Sequence, residues 1–249
     1  MTVSILTTGK QSLLSMIQDA AAEIGLPSAS FVAGNSDNSA AQFLALANRN
    51  GEEIAAMSGT WGGWPELRKE YVFTIYGGLD NYKFPTDIQY LIPETGWSRT
   101  YRWQLLGPLE AQEWQVLKSG ISPTGPRTRY RIMGGKIYFD PPPCQDQEIV
   151  FEYYSNTWCQ DMNGVPKARF SADTDSFILP DNLMVLGLKW RMLRAKGLDY
   201  GQELKEWERA CERSLSRAGS ARNLPLNAQG ARGTNLLNNS NVPDTGFGS

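Results

Sequence analysis

The 249-residue chain contains no histidine. That absence removes Ser-His-Asp and Cys-His catalysis, HExxH zinc chemistry and the commonest general base. Cysteine is scarce as well. Cys144, Cys159 and Cys211 are odd in number and show no CxxC spacing, which reads as free thiols in a reducing compartment and not as a disulfide framework or a zinc site. Neither sign of charge is in excess: 24 Lys and Arg stand against 26 Asp and Glu, a net charge of −2, whereas a general nucleic-acid binder carries a strong basic surplus. No apolar run reaches membrane-spanning length, and the opening MTVSILTTGKQSLL lacks the basic region and long apolar core of a signal peptide. The expectation is a soluble protein made in the cytoplasm, with no membrane contact. Neither GxxxxGK[ST] nor a strand–GxGxxG–helix pattern occurs, so nucleotide binding finds no support, and no cofactor is expected.

What the chain does have is aromatic side chains, eight Trp, ten Tyr and nine Phe. They suit a core rich in large residues, with some left over as anchors for protein contacts. The length suffices for one large domain or two modest ones.

Periodicity gives the organisation. The stretch 11–25 reads as a helix with Leu13, Ile17, Ala20 and Ile24 on one face, closed by Gly25-Leu26-Pro27. A second helix, capped by Asp37 or Ser39 and running to about Met57, shares Ala40, Phe43, Ala47, Gly51 and Ile54 on one side. The far end, 179–218, reads as a helical hairpin. Leu183, Leu186, Trp190 and Leu193 form one stripe, Lys196-Gly197 the stop, and Asp199 the cap of a second helix striped by Tyr200, Leu204, Trp207, Cys211 and Leu215. Asp181 is expected to cap the first helix of this hairpin.

Between the two helical ends the period falls to two. Strands are expected at 71–76, 88–92, 99–105 and 148–154, a short helix at 108–118, and a hairpin at 130–139 turning on Gly134-Gly135. The fold class is therefore α+β: a helical bundle built from both chain ends, an inserted antiparallel β domain, and an extended C-terminal tail. The expected division is 1–66 with 177–218 for the bundle, 67–176 for the β domain, and 219–249 for the tail, whose Asn/Gly/Ser-rich composition cannot build its own core.

Candidate chemistry is thin. Asp173 and Asp175 in SADTDSF, and Asp80 and Asp87 around an aromatic segment, are acidic pairs of the kind glycoside cleavage uses, though alternating acids in a loop are usually solvated. DTDS lacks the Gly and Glu of an EF-hand loop, and no metal site is expected. Lys189, Arg191, Arg194 and Lys196 form a basic cluster. It reads as a complement to a helix C-terminus and a source of ion pairs between subunits, with phosphate-backbone contact as the alternative. Trp61, Trp64 and Trp97 are candidates for a carbohydrate-binding surface.

Taken in order, QDAAAEIGLP, FLALANRNGEEIA, YKFPTDIQYLIPETGW, LLGPLEAQEW, YRIMGGKIYFDPPP, IVFEYYSNTW and FILPDNLMVLGLKWRMLRAKGLDYGQELKEWERA resemble the head-to-tail adaptors, or connector proteins, of short-tailed bacteriophages. The resemblance covers about Ser12 to Ala218. It implies a non-enzymatic virion protein at the head-to-tail junction, built from a helical bundle and a β domain. Its relatives form a ring, usually of twelve copies, that docks on the portal protein, extends the DNA ejection channel and carries the tail or nozzle proteins, with genomic DNA passing through without sequence-specific binding. The resemblance turns the C-terminal tail into a portal-docking arm with Leu224, Leu226, Leu236, Leu237, Val242 and Phe247 as anchors. It also makes Lys189, Arg191, Arg194, Glu203, Glu206, Arg209 and Arg213 candidates for subunit contacts. The functions left as alternatives are a tail-associated peptidoglycan-degrading glycan hydrolase and a carbohydrate-binding β module.

Overall fold

A computed structural model describes residues 10–58, 62–120 and 128–218. Two helices come first, α1 (Leu13–Glu23) and α2 (Asn38–Ala56). Ser12 caps α1 by accepting the Ser15 amide, and Asp37 caps α2 by accepting the Ala40 amide. A single 3-10 turn at Pro65–Leu67 leads into the strands. These are β1 (Arg68–Ile75), β2 (Asn81–Lys83), β3 (Ile88–Leu91), β4 (Trp97–Ser98) and β5 (Trp103–Gln104). Helix α3 (Ala111–Lys118) follows, entered through Glu110, whose amide donates to the Glu113 carboxylate at 3.3 Å. Then come β6 (Arg129–Met133), β7 (Lys136–Asp140), β8 (Gln147–Ser155), β9 (Cys159–Gln160), β10 (Pro166–Lys167) and β11 (Ser176–Phe177). Helices α4 (Asp181–Ala195) and α5 (Gly201–Ala218) close the described chain.

The fold is mixed α+β, and every strand pair within its three sheets is antiparallel. Strand β8 is the spine. It pairs along its length with β1, from Arg68↔Tyr154 to Ile75↔Gln147, and on its other side with β3 and β4. Flanked on both edges, it is buried at almost every position, as its near-continuous apolar run EIVFEYY requires. At the edge, β1 alternates instead: Arg68, Glu70, Val72 and Thr74 are exposed, and Lys69, Tyr71, Phe73 and Ile75 turn inward. The β2–β7–β6 sheet lies against that inner face, where Phe73 meets Tyr82 and Phe139 with ring centroids 5.6 and 6.3 Å apart. Ile75, Leu105, Tyr130, Ile137, Phe139, Ile149 and Phe151 form one hydrophobic cluster there. Gly134 and Gly135 turn the β6–β7 hairpin with φ of 59° and 71°, the left-handed pair a two-residue turn needs.

The second and larger cluster surrounds α4, which packs on α1, α2 and α5. Leu13, Met16, Ile17, Phe43, Ala47, Ile54, Leu183, Met184, Leu188, Trp190 and Trp207 belong to it. So do Leu67, Tyr154, Trp158, Cys159 and Phe170 from the strand-bearing middle of the chain, so the two cores meet along β1 and β8. Small residues set the helix spacing. A Cβ on Gly187 of α4 lies 2.2 Å from the Asn50 amide of α2, and one on Gly51 lies 2.4 Å from the Trp158 ring. The described residues up to Ala218 make one compact unit.

Two local expectations change. The alternating stretch 99–105 is not one strand: β4 and β5 form a tight hairpin, Trp97↔Gln104 and Ser98↔Trp103, with Arg102 at φ 58° in its turn. Stacking of Tyr101 on Trp103, centroids 4.9 Å apart, occupies the aromatics that suggested a strand. And Asp181 makes no cap bond on α4; its carboxylate accepts the Gln11 amide at 3.1 Å and lies 3.8 Å from Lys10 Nζ, joining the start of the described chain to the last helical pair.

Candidate assembly surfaces

The α4–α5 hairpin carries all seven residues expected at a subunit interface, and the structure separates them. Arg191 is 6% exposed. Its guanidinium lies over the Trp190 ring at 4.3 Å and near the Trp207 ring at 5.6 Å. It pairs with Glu53 at 2.5 Å and donates to Asn50 Oδ1 at 3.3 Å. Asn50, fully buried, completes the knot by donating to the Met184 carbonyl at 3.3 Å. This arginine is engaged inside the subunit, because its neighbour Trp190 faces the core and leaves it the seam between α2, α4 and α5. Burial pushes the Glu53 carboxyl up, but hydrogen bonding and charge from Arg191 and Arg49 prevail and hold it below its ordinary value. Lys189 is half-buried and pairs with Glu23 of α1 at 3.3 Å.

The others face outward. Arg194, Glu206, Arg209 and Arg213 are exposed, and Glu203 is half-buried. Glu206, Arg209 and Arg213 border a shallow open groove along α5 with Gln202, Lys205 and Glu212. Leu224, Leu226, Leu236, Leu237, Val242 and Phe247 lie outside the described residues.

The acidic pairs resolve into ties between segments. Asp173 accepts the amides of Val32 and Ala33, at 3.1 and 2.7 Å. Asp175 is 0% exposed, not solvated as its loop position implied. It accepts Lys167 Nζ at 2.7 Å and the amides of Ser171 and Ala172 at 2.7 and 2.9 Å. Burial raises its pKa, yet Lys167 and those amides more than offset that, leaving it lowered. Asp80 holds its Asn81 neighbour at 2.9 Å. Asp87 takes Lys69 Nζ at 2.8 Å, Tyr153 Oη at 3.1 Å and Ser155 Oγ at 3.0 Å. Burial, and then the hydrogen bond to that carboxylate, push the Tyr153 phenol up to about 12. No sequence spacing points to this cluster, since its members come from β1, β8 and the loop before β3.

The tryptophans divide too. Trp64 is 1% exposed and its indole donates to the Ile54 carbonyl at 2.6 Å, so it is a core residue and not part of a sugar platform. Trp97 is exposed on the outer face of β4; Trp61 lies outside the described residues. Beside Trp97 runs a ladder that sequence reasoning missed, with Arg99 paired to both Glu70 and Glu148, and Arg68 to Glu152 at 4.0 Å. Alternation along β1 marks Arg68 and Glu70 as outward, but their pairing with Glu152 and Arg99 depends on register and on the β4–β5 turn. An apolar pocket of about 410 Å³, lined by Phe84, Ile88, Tyr90, Pro93, Pro108 and Ile132 among others, lies where β3 approaches the β6–β7 hairpin.

The three cysteines are free, and burial pushes the Cys159 and Cys211 thiols up to about 12, well away from reactivity. No described helix is long and apolar enough to cross a membrane.

Comparison with known families gives one match of long extent. The model of the SU10 adaptor protein family covers residues 11–234, spanning every described helix and strand and running on past Ala218. No curated protein matches the chain.

Proposed function

The chain belongs to the SU10 adaptor protein family, a phage head-to-tail adaptor family, and on that premise we propose that it is the ring-forming adaptor between portal and tail. A structural virion role follows from the family. The finer reading is that copies of this chain, twelve as in the connectors the sequence resembles, close a ring that docks on the portal, lengthens the DNA channel and offers the tail proteins a platform. The observation that carries the reading is the extent of the family match, which takes in the helices and the β segment together.

In this arrangement α1, α2, α4 and α5, contributed by 1–66 and 177–218, act as a bundle on the portal side. Residues 67–176 face the tail. Residues 219–249 reach the portal through Leu224, Leu226, Leu236, Leu237, Val242 and Phe247. The net charge of −2 suits a channel wall along which DNA slides, because dense phosphate neutralisation would hold it. Removal of residues 219–249 is expected to abolish binding to the portal protein while circular dichroism and the melting transition of the remaining body persist. Undiminished binding by the truncated protein contradicts the docking role of the arm.

A further inference from the structure

Helix α5 carries eight charged side chains, Glu203, Lys205, Glu206, Glu208, Arg209, Glu212, Arg213 and Arg217. None of them forms an ion pair among the described residues, whereas charged residues of α2, α4, β1 and β8 do. Two polar contacts of this group stay within the helix: Arg213 Nε donates to the Arg209 carbonyl, and the Glu212 carbonyl accepts Ser216 Oγ.

Their spacing is ordered. Lys205, Arg209, Arg213 and Arg217 recur every fourth residue and form a basic row that winds across the exposed side of the helix. Glu208 and Glu212, also four apart, form an acidic row. At 100° per residue, the acidic row lies on the flank beside Leu204 and Leu215, and Arg213 and Arg217 lie on the opposite flank beside Ala210. Glu203 and Glu206 interrupt the basic flank. Like charges four apart weaken an isolated helix by a few tenths of a kcal/mol per pair, about 0.2–0.5, and the opposite charges three apart, Lys205–Glu208, Glu206–Arg209 and Arg209–Glu212, offset this by similar amounts, so the pattern is about neutral for α5 itself. A helix acidic on one flank and mainly basic on the other is complementary to a copy of itself set alongside it.

We propose that α5 is a stave of a heterologous subunit interface, in which the Glu208–Glu212 flank of one copy meets the Arg213–Arg217 flank of the next. The inference rests on the ring reading above and names which surfaces close the ring. Because each copy presents two different flanks, the contact propagates head to tail, as a cyclic assembly requires. Trp207, Ala210 and Cys211 hold the opposite side of α5 in the core, so the stave is fixed on the body, and among the described residues Glu208, Glu212, Arg213 and Arg217 are exposed on its flanks. Arg209 and Lys205, between the flanks, reinforce the basic side, and the contact weakens as salt screens it.

Two full-length variants test this: Glu208→Lys with Glu212→Lys, and Arg213→Glu with Arg217→Glu. Assembly is read by negative-stain electron microscopy and mass photometry, with the portal protein present, and circular dichroism verifies that each variant is folded. Wild type is expected to form rings, each variant alone to lose them, and the equimolar mixture to recover them, since every contact in an alternating ring then joins opposite charges. Rings formed normally by either variant alone overturn the pairing and leave the adaptor reading standing. So does failure of the mixture to recover, which assigns the α5 face to another partner. A two-fold dimer in place of a ring overturns the head-to-tail geometry. Absence of rings from wild type itself overturns the adaptor reading, and this inference with it.

Discussion

At the scale of single residues, close contacts at glycine and a few buried polar ties fix the distances between segments. Gly187 is the sharpest case. Its position in α4 has no room for a side chain, because Asn50 occupies the space and is itself bonded to the α4 backbone and to Arg191. Gly187→Ala gains about 1 kcal/mol of helix propensity. It loses more, since overpacking costs about 1–3 kcal/mol and a displaced Asn50 leaves buried partners unpaired at about 1–3 kcal/mol. The expected outcome is a net loss of about 1–5 kcal/mol from these terms, read as a lower urea midpoint at unchanged slope. A second residue-scale case is Asp175. Its folded pKa is lowered, so its ionised form contributes stability that is fully present above the unfolded value of about 3.9 and drains away as pH falls through the folded value. Asp175→Asn is expected to destabilise the protein by about 1–3 kcal/mol at neutral pH, and to flatten the fall in stability below about pH 4 that wild type shows. Melting temperatures of both proteins between pH 7 and pH 3 check the sign.

At the scale of elements, local rules were most legible where one residue type forces one geometry. Gly134-Gly135 announced the β6–β7 turn, Gly197 the end of α4 with φ 73°, and Asp37 the start of α2. The buried stripes of α1 and α2 also fell where the 3.6-residue period put them. The stretch 99–105 alternates without being one strand, because alternation is a necessary property of a strand and not a sufficient one; a left-handed Arg102 folds the same residues back on themselves. The fates of Asp175, Arg191 and Trp64 were illegible for a different reason. Each depends on a partner far away in sequence, whether a helix seam or a crossing loop, and no local pattern encodes which charged or aromatic residue a tertiary contact will absorb. The β6–β7 turn offers a clean element-scale test. Nothing lies within 4 Å of a Cβ built on Gly134 or Gly135, so substitution there meets only backbone strain. Gly134→Ala with Gly135→Ala is expected to cost about 1–2 kcal/mol per position, whereas Gly134→Asn, which keeps an Asn-Gly turn, stays close to wild type in chemical denaturation.

At the scale of the whole molecule, two cores share one continuous pair of strands. β1 and β8 run from the helical cluster at Leu67 and Tyr154 to the sheet cluster at Ile75 and Ile149, so the helices and the sheets are mechanically joined. The proposed place between portal and tail draws on that joint. The surface left over by the intramolecular ties is informative in turn. Where the sheet face spends its charges on itself, through Arg68, Glu70, Arg99, Glu148 and Glu152, α5 leaves its own charges available. The central claim is that copies of this chain form a ring on the portal. Its most direct measurement is electron microscopy of purified portal rings incubated with the full-length protein. A second, coaxial ring of density is expected on one end of the portal, with a channel continuous through both. Portal particles unchanged at saturating protein, with the chain remaining monomeric, contradict it.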